Sequence, residues 1–396
     1  MASPDAQSSA RPSSIGPVLR SFRLRLALTW GIVGVFTLGG HTWLGSSAVD
    51  AASIACFIVL FATIVYAASG VVHEAEHLAR ALGEPYGTLI LTLSIVCIEV
   101  ILIAAVMMGP AESATIGRDS IFAVMMIIMN LVMGLCLLLG GMRYSDQEYN
   151  AQGSIAYVSM IALLTGLGLV LPNYVSSGTG SFLPIQAISI AVFTIVLYGA
   201  FLAMQMQGYR RLFIQPAAGS LSVPARTASK ALPQASGGDA AGALDRRAIV
   251  VRSVVLVALV LPIVLLAHDL AILIDLGIDQ AGAPVAVGGV LIAIIVFTPE
   301  SITAVKAARA NEMQRSVNLC LGAFVSTVGL TVPAVLTIGL VKGKTVTLGL
   351  GPLETVLLLI TIALSLLTFV GQRTSSVQGI MHLMLFAMYS VLLFAP

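Results

Sequence analysis

Two carboxylates sit where few are tolerated. Glu99 lies in Leu91-Thr-Leu-Ser-Ile-Val-Cys-Ile-Glu99-Val-Ile-Leu-Ile, and Glu300 in Ile294-Ile-Val-Phe-Thr-Pro-Glu300-Ser-Ile-Thr. A charged group at the centre of a bilayer costs about 2.5–3.5 kcal/mol on insertion scales. It persists when it faces a cavity, pairs with another group, or does work. The bland reading of either acid is a protonated Glu hydrogen-bonded to a neighbouring helix. Gly87 precedes Glu99, and Gly288 precedes Glu300, by the same interval. The two acids are therefore expected at equivalent depth in related segments. A desolvated carboxylate can hold a proton near neutral pH, or a cation, but not both together. That competition is the chemistry of exchange.

Neighbouring residues supply oxygen. Thr92 shares a helix face with Glu99, and Thr303 lies one turn past Glu300. Asn130 and Ser326, in the segments that follow, offer ligands from facing helices; their alternative is ordinary packing polarity. Pro299 and Pro333 lack N–H groups, so the carbonyls of Ile295 and Gly329 are expected to be free. Hard cations take this set of carboxylate, hydroxyl and carbonyl oxygens, so Glu99 and Glu300 are the metal-binding candidates.

His73-Glu74-Ala75-Glu76-His77 competes for attention. On a helix, H-E-x-x-H places two imidazoles on one face for zinc, with Glu74 as general base. The alternative function is therefore an intramembrane zinc metalloprotease. Its acidic third-ligand candidates, Asp269 and Asp275, fall on the opposite side of the membrane in the topology below. A milder reading makes His73, Glu74, Glu76, His77 and Glu84 a pH- or cation-sensing cluster. Asp146, Glu148 and Glu312 read as solvated loop groups and His382 as a satisfied helix-end histidine. Cys56, Cys97, Cys136 and Cys320 have no metal or disulfide spacing and read as small core residues.

These groups need a scaffold, and composition names it. Of 396 residues, 58% are hydrophobic and 10% charged, and the net charge of +2 argues against a nucleic-acid partner. A bilayer core of about 30 Å needs about 20 apolar helical residues. Eleven runs qualify: Leu26–Leu44, Ala51–Val72, Tyr86–Met108, Ile121–Gly141, Ile155–Leu171, Ile185–Gln207, Ala248–Ala267, Val285–Ala308, Ser316–Leu340, Leu350–Val370 and Val377–Leu393. With the N-terminus inside, only Arg118, Lys342 and Lys344 of the 20 lysines and arginines face out. The positive-inside rule thus sets N-in, C-out.

Residues 1–25 are expected to be a disordered cytoplasmic N-terminus and 26–44 an uncleaved extra first helix. Two five-helix units, 51–207 and 248–396, flank a cytoplasmic linker at 208–247. Five spans per unit invert the second unit relative to the first, the geometry of inverted-repeat transporters. The expected fold is an all-α polytopic membrane protein of eleven transmembrane helices. A passive cation channel is a further alternative.

Gly83-Glu-Pro-Tyr-Gly-Thr-Leu-Ile-Leu-Thr-Leu-Ser, Ile98-Glu99-Val, Thr298-Pro-Glu300-Ser and Gln314-Arg-Ser-Val-Asn-Leu resemble the calcium/cation antiporter superfamily. The chain looks like its cation/proton exchanger branch, and within that the bacterial ChaA type. The resemblance runs from the second span to the C-terminus, including His382-Leu-Met-Leu-Phe-Ala-Met-Tyr. It implies proton-coupled exchange of calcium, or of sodium or potassium, across a bacterial inner membrane. Glu99 and Glu300 match the acids of the superfamily's repeated signature, and Asn130 and Ser326 match polar positions in the helices that follow. No cofactor is implied. The partners are the transported cations, protons and the bilayer, with oligomeric state open. Where the superfamily usually has Gly-Asn before each acid, this chain has Ile95-Val96 and Val296-Phe297. Its linker also lacks the acidic run that relatives often carry. The thinner oxygen shell weakens the case for tight calcium binding and leaves room for sodium or potassium.

Overall fold

Long apolar runs must satisfy their backbone groups internally, and helix is the form that does so within one segment. The computed structural model describes residues 15–43, 49–82, 86–108, 114–175, 178–206, 208–216 and 246–395. These form eleven helical rods: α1 (Ile15–Trp43), α2 (Ala51–Leu82), α3 (Tyr86–Met107), α4 (Ile116–Tyr144), α5 (Ala151–Asn173), α6 (Pro184–Met206), α7 (Arg246–Ala281), α8 (Ala286–Arg309), α9 (Met313–Lys342), α10 (Pro352–Phe369) and α11 (Ser376–Phe394). Among the described residues, 9 helices are by themselves long and apolar enough to cross a bilayer.

Several boundaries depart from the hydropathy reading. Helix α1 starts at Ile15, inside the stretch expected to be disordered. Residues 208–216, the start of the expected linker, fold back on the protein: the Asn318 amide donates to the Phe213 carbonyl (2.6 Å) and the Gln314 N–H to the Gln215 side chain (2.8 Å). Residues 1–14 and 217–245 lie outside the described residues. Helices α2 and α7 have 32 and 36 residues. At about 1.5 Å per residue both overshoot an apolar slab of about 30 Å. Their polar ends stand beyond it, where the two helices pack together and Arg252 meets Glu74.

Local chemistry sets the ends. Asp50 and Ser53 cap α2 reciprocally, each side chain accepting the other's N–H (2.7 and 2.9 Å). These bonds hold the Asp50 carboxyl below its ordinary range. Ser375 and Gln378 form the corresponding box on α11. Two helices change pitch inside the membrane: α4 has a π segment at Met126–Val132 and α5 one at Gly166–Val170.

Helices α4 and α9 are central, with 83% and 72% of their apolar windows buried, against 28% for α6 and 17% for α11. The outer helices turn residues such as Ile185, Val192, Phe193 and Val196 outward, as lipid-facing surfaces do. Of the cysteines, Cys136 and Cys320 are core residues, whereas Cys97 is exposed.

Packing follows the two-unit organisation. Helix α2 lies on α7; α8 on α4 is answered by α3 on α9; α6 on α9 is answered by α11 on α4. Two isolated antiparallel bridges complete the pattern. Glu148 pairs with Arg373, joining the α4–α5 loop to the α10–α11 loop. Ser181 pairs with Thr347, joining the α5–α6 loop to the α9–α10 loop. Exchanging the two five-helix units converts one bridge into the other at the opposite end of the bundle, as an inverted repeat requires.

Candidate cation site

Helices α3 and α8 carry the two acids against the central pair, α3 on α9 and α8 on α4. Glu99 is completely buried, and its Oε2 accepts a hydrogen bond from the Thr327 hydroxyl of α9 at 3.0 Å. Its Oε1 is buried without a partner. Glu300 is half-buried: its Oε2 is enclosed and unpartnered, while the residue lines a cavity of about 230 Å³. Thr92, Tyr198, Gln205, Arg315, Asn318 and Ser326 are among the other lining residues. The cavity runs from the Arg315 end of α9 toward Glu300. The two acids lie within electrostatic reach of each other, and among the described residues neither has a basic partner.

Buried carboxylate oxygens without partners are costly, more so when two acids share a region. A proton or a cation completes the arrangement, and either removes the penalty. The donors present suit a hard cation: carboxylates, hydroxyls and backbone carbonyls.

The remaining candidates divide. Thr92 reaches the cavity beside Tyr198. Ser326 also lines it, with its hydroxyl donating back to Ala323 (2.7 Å). Thr303 is not among the lining residues; its hydroxyl donates to the Pro299 carbonyl at 3.0 Å. On the same helix Ser301 donates to Phe297 (2.7 Å) and Thr298 to Ile294, so these hydroxyl hydrogens are committed locally. Pro299 and Pro333 sit inside α8 and α9. The carbonyls of Ile295 and Gly329 therefore lack the usual helical donor. Ile295 is buried, and Gly329 backs onto the Tyr198 ring, which a Cβ would meet at 3.0 Å.

Asn130 is in the π segment of α4, and its contacts lead away from the acids. Its amide donates to Thr361 Oγ1 (3.0 Å), and its carbonyl oxygen lies 3.0 Å from His382 Nδ1. His382 Nε2 is 3.1 Å from Thr368 Oγ1. Because Asn130 Oδ1 can only accept, Nδ1 carries the proton in this pairing. His382 is fully buried and bridges α4, α10 and α11, with both ring nitrogens partnered.

Sequence reasoning missed Thr327 and Thr331. They are four residues apart on α9, hence on one face, and the Thr331 hydroxyl is buried and unpartnered. Their spacing in Ser326-Thr-Val-Gly-Leu-Thr331 is the signal that could have found them.

The H-E-x-x-H string forms no three-ligand centre. Among the described residues no group of three or more His, Cys, Asp or Glu is placed to hold a metal. Glu74, 1% exposed, is held by Arg252 at 3.0 Å, so it is engaged in an ion pair rather than poised as a base. Glu84 lies outside the described residues. Asp146 and Glu148, read as solvated loop groups, lie in the α4–α5 loop and clamp Arg373 at 2.7 and 3.1 Å. Glu312 pairs with Arg315 at 3.0 Å.

The family model described as sodium/calcium exchanger protein matches residues 52–207 and 252–395. A putative ionic transporter, y4hA, of Sinorhizobium fredii is 37% identical over 327 residues, covering 82% of this chain and 84% of that protein. The sodium-potassium/proton antiporter ChaA of Escherichia coli is 31% identical over 351 residues, 89% of this chain and 92% of its own. Among solved structures, native YfkE aligns with a TM-score of 0.69 at 18% identity, covering 95% of this chain and all of that one.

Proposed function

Because the chain belongs to the sodium/calcium exchanger protein family, we propose that it exchanges cations for protons, with Glu99 and Glu300 holding one or the other in alternation. Its relatives are transporters, and the protein moves ions rather than catalysing a covalent reaction. The metalloprotease reading therefore falls, in line with the Arg252 clamp on Glu74.

The observation that carries the proposal is the pair of enclosed carboxyls, each with an oxygen that has no hydrogen-bond partner among the described residues. Glu300 meets the cavity and Glu99 is sealed behind it against Thr327. A cation arriving through the cavity meets Glu300 first and displaces its proton. Thr92 and Ser326 add oxygens from the wall, and Ile295 and Gly329 offer free carbonyls. On the opposite side α8 is closed against α4: a Cβ on Gly289 would lie 2.6 Å from the Ser120 backbone nitrogen. Release to that side requires this contact to part while the cavity shuts, which is alternating access.

The Arg- and Lys-rich end, where the cavity opens, faces the cytoplasm of a bacterial inner membrane in this reading. The sparse oxygen shell and the ChaA relative favour sodium or potassium, with calcium as the competitor to be tested. Everted vesicles carrying a proton gradient and a pH-sensitive dye provide the assay. Adding sodium, potassium or calcium should collapse the gradient with wild type and leave it intact with Glu99→Gln or Glu300→Gln. Full activity in either variant removes the site assignment. Cation flux without proton movement makes the protein a channel.

A further inference from the structure

The exchange mechanism leaves His73 and His77 unused. They sit one helical turn apart on α2, with rings edge-to-face at 4.6 Å between centroids and Nε2 atoms 3.2 Å apart. In a hydrogen bond between two neutral imidazoles one nitrogen donates and the other accepts, so a single proton lies between the rings. A tetrahedral ion with metal–nitrogen bonds of about 2.0–2.1 Å holds two such nitrogens about 3.4 Å apart. The pair therefore already has the bite of a chelate: the ring that donates shifts its proton from Nε2 to Nδ1 through solvent, and two neutral imidazoles then offer both Nε2 lone pairs to a metal.

Access and rigidity support the same conclusion. His73 is exposed and His77 half-buried, so an ion arrives from solvent and keeps water in its remaining positions. The turn is anchored from within: Glu74, between the two histidines, is gripped by Arg252 of α7 at 3.0 Å.

We propose that His73 and His77 form a two-imidazole site for a divalent transition cation of the zinc class, distinct from the oxygen-lined transport site. Donor chemistry separates the two. Imidazole suits zinc, copper and nickel, whereas sodium, potassium and calcium take oxygen. The ion held at His73 and His77 is therefore not the one carried past Glu300.

Calorimetric titration of zinc into the purified, tag-free full chain in detergent tests the assignment. Wild type should bind one zinc per chain, and His73→Gln or His77→Gln should weaken that binding about tenfold or more, at least the loss that follows removal of an outer-shell partner. Both variants should elute as wild type on size exclusion and keep cation-driven proton exchange, so that loss of zinc is not loss of fold. Absence of saturable binding in wild type at micromolar zinc overturns the proposal. So does undiminished binding in the double variant.

Discussion

Glu99 has one oxygen held by Thr327 and one held by nothing, and the cost of that imbalance falls on whichever form of the site is charged. Removing the Thr327 hydroxyl that donates to the acid, while keeping its shape, isolates this effect. Thr327→Val should leave the protein folded and exchanging, because valine fills the same volume. The cation concentration for half-maximal exchange should rise about tenfold, since a hydrogen bond to a charged group contributes about 1.5–3 kcal/mol and 1.4 kcal/mol is a factor of ten. Dequenching titrations in the vesicle assay read this directly, and an unchanged half-maximal concentration would detach Thr327 from the site. The two acids were legible in the sequence because no feature of their apolar surroundings explains a carboxylate. Thr327 was not. Most hydroxyls in membrane helices donate to the carbonyl one turn back, as Thr298, Ser301, Thr303 and Thr337 do here. Sequence alone does not say which of the α9 hydroxyls turns outward instead. Asn130 shows the converse: its polarity was visible, but its partners, Thr361 and His382, are about 230 and 250 residues away.

Helices were the easiest level to read and their ends the hardest. Hydropathy located all eleven rods, because an apolar run of bilayer length has few other uses. It underestimated α2 and α7, whose last turns carry charged residues among the apolar ones and run beyond the hydropathy limits. The π segments of α4 and α5 were invisible for a different reason. A span buried all round is hydrophobic on every face, so one widened turn leaves no mark on the pattern. Close approach between helices was half legible: glycines are seen, their neighbours are not. Gly289 is a strong case, because a Cβ there would lie 2.6 Å from Ser120 N and 2.9 Å from Asp119 O, both backbone atoms of α4. Backbone cannot step aside as a side-chain tip can. Gly289→Ala should therefore lower stability by about 1–3 kcal/mol, the usual penalty for overpacking, seen as a lower melting temperature in detergent. Gly199→Ala, where a Cβ meets nothing within 4 Å, serves as the control and should melt like wild type. Equal melting of both variants would mean that α8 and α4 are not in contact as described.

Orientation is a property of the whole molecule, and it decides which compartment the Glu300 cavity serves. Charge bias predicts the Arg315 end of α9 inside and Lys342 outside, with one span between them. The packing argument is independent of charge. The paired bridges, Glu148 with Arg373 at one end and Ser181 with Thr347 at the other, require the two five-helix units to run in opposite directions, whichever way the bundle sits. Arg118, one of the few bases that the charge bias would put outside, pairs with Asp119 at 2.8 Å and donates to the Gly349 carbonyl at 3.0 Å. It therefore weighs little against the inward majority. Single cysteines at 315 and 342, in a background lacking Cys56, Cys97, Cys136 and Cys320, test both arguments with one membrane-impermeant maleimide. Arg315→Cys should label in everted vesicles and not in intact cells, and Lys342→Cys the reverse. Inverted labelling would turn the cavity toward the periplasm and reverse the compartment from which Glu300 is loaded. Labelling of both from one side would mean that α9 does not cross the membrane, and neither the cavity nor the two-unit fold could then stand.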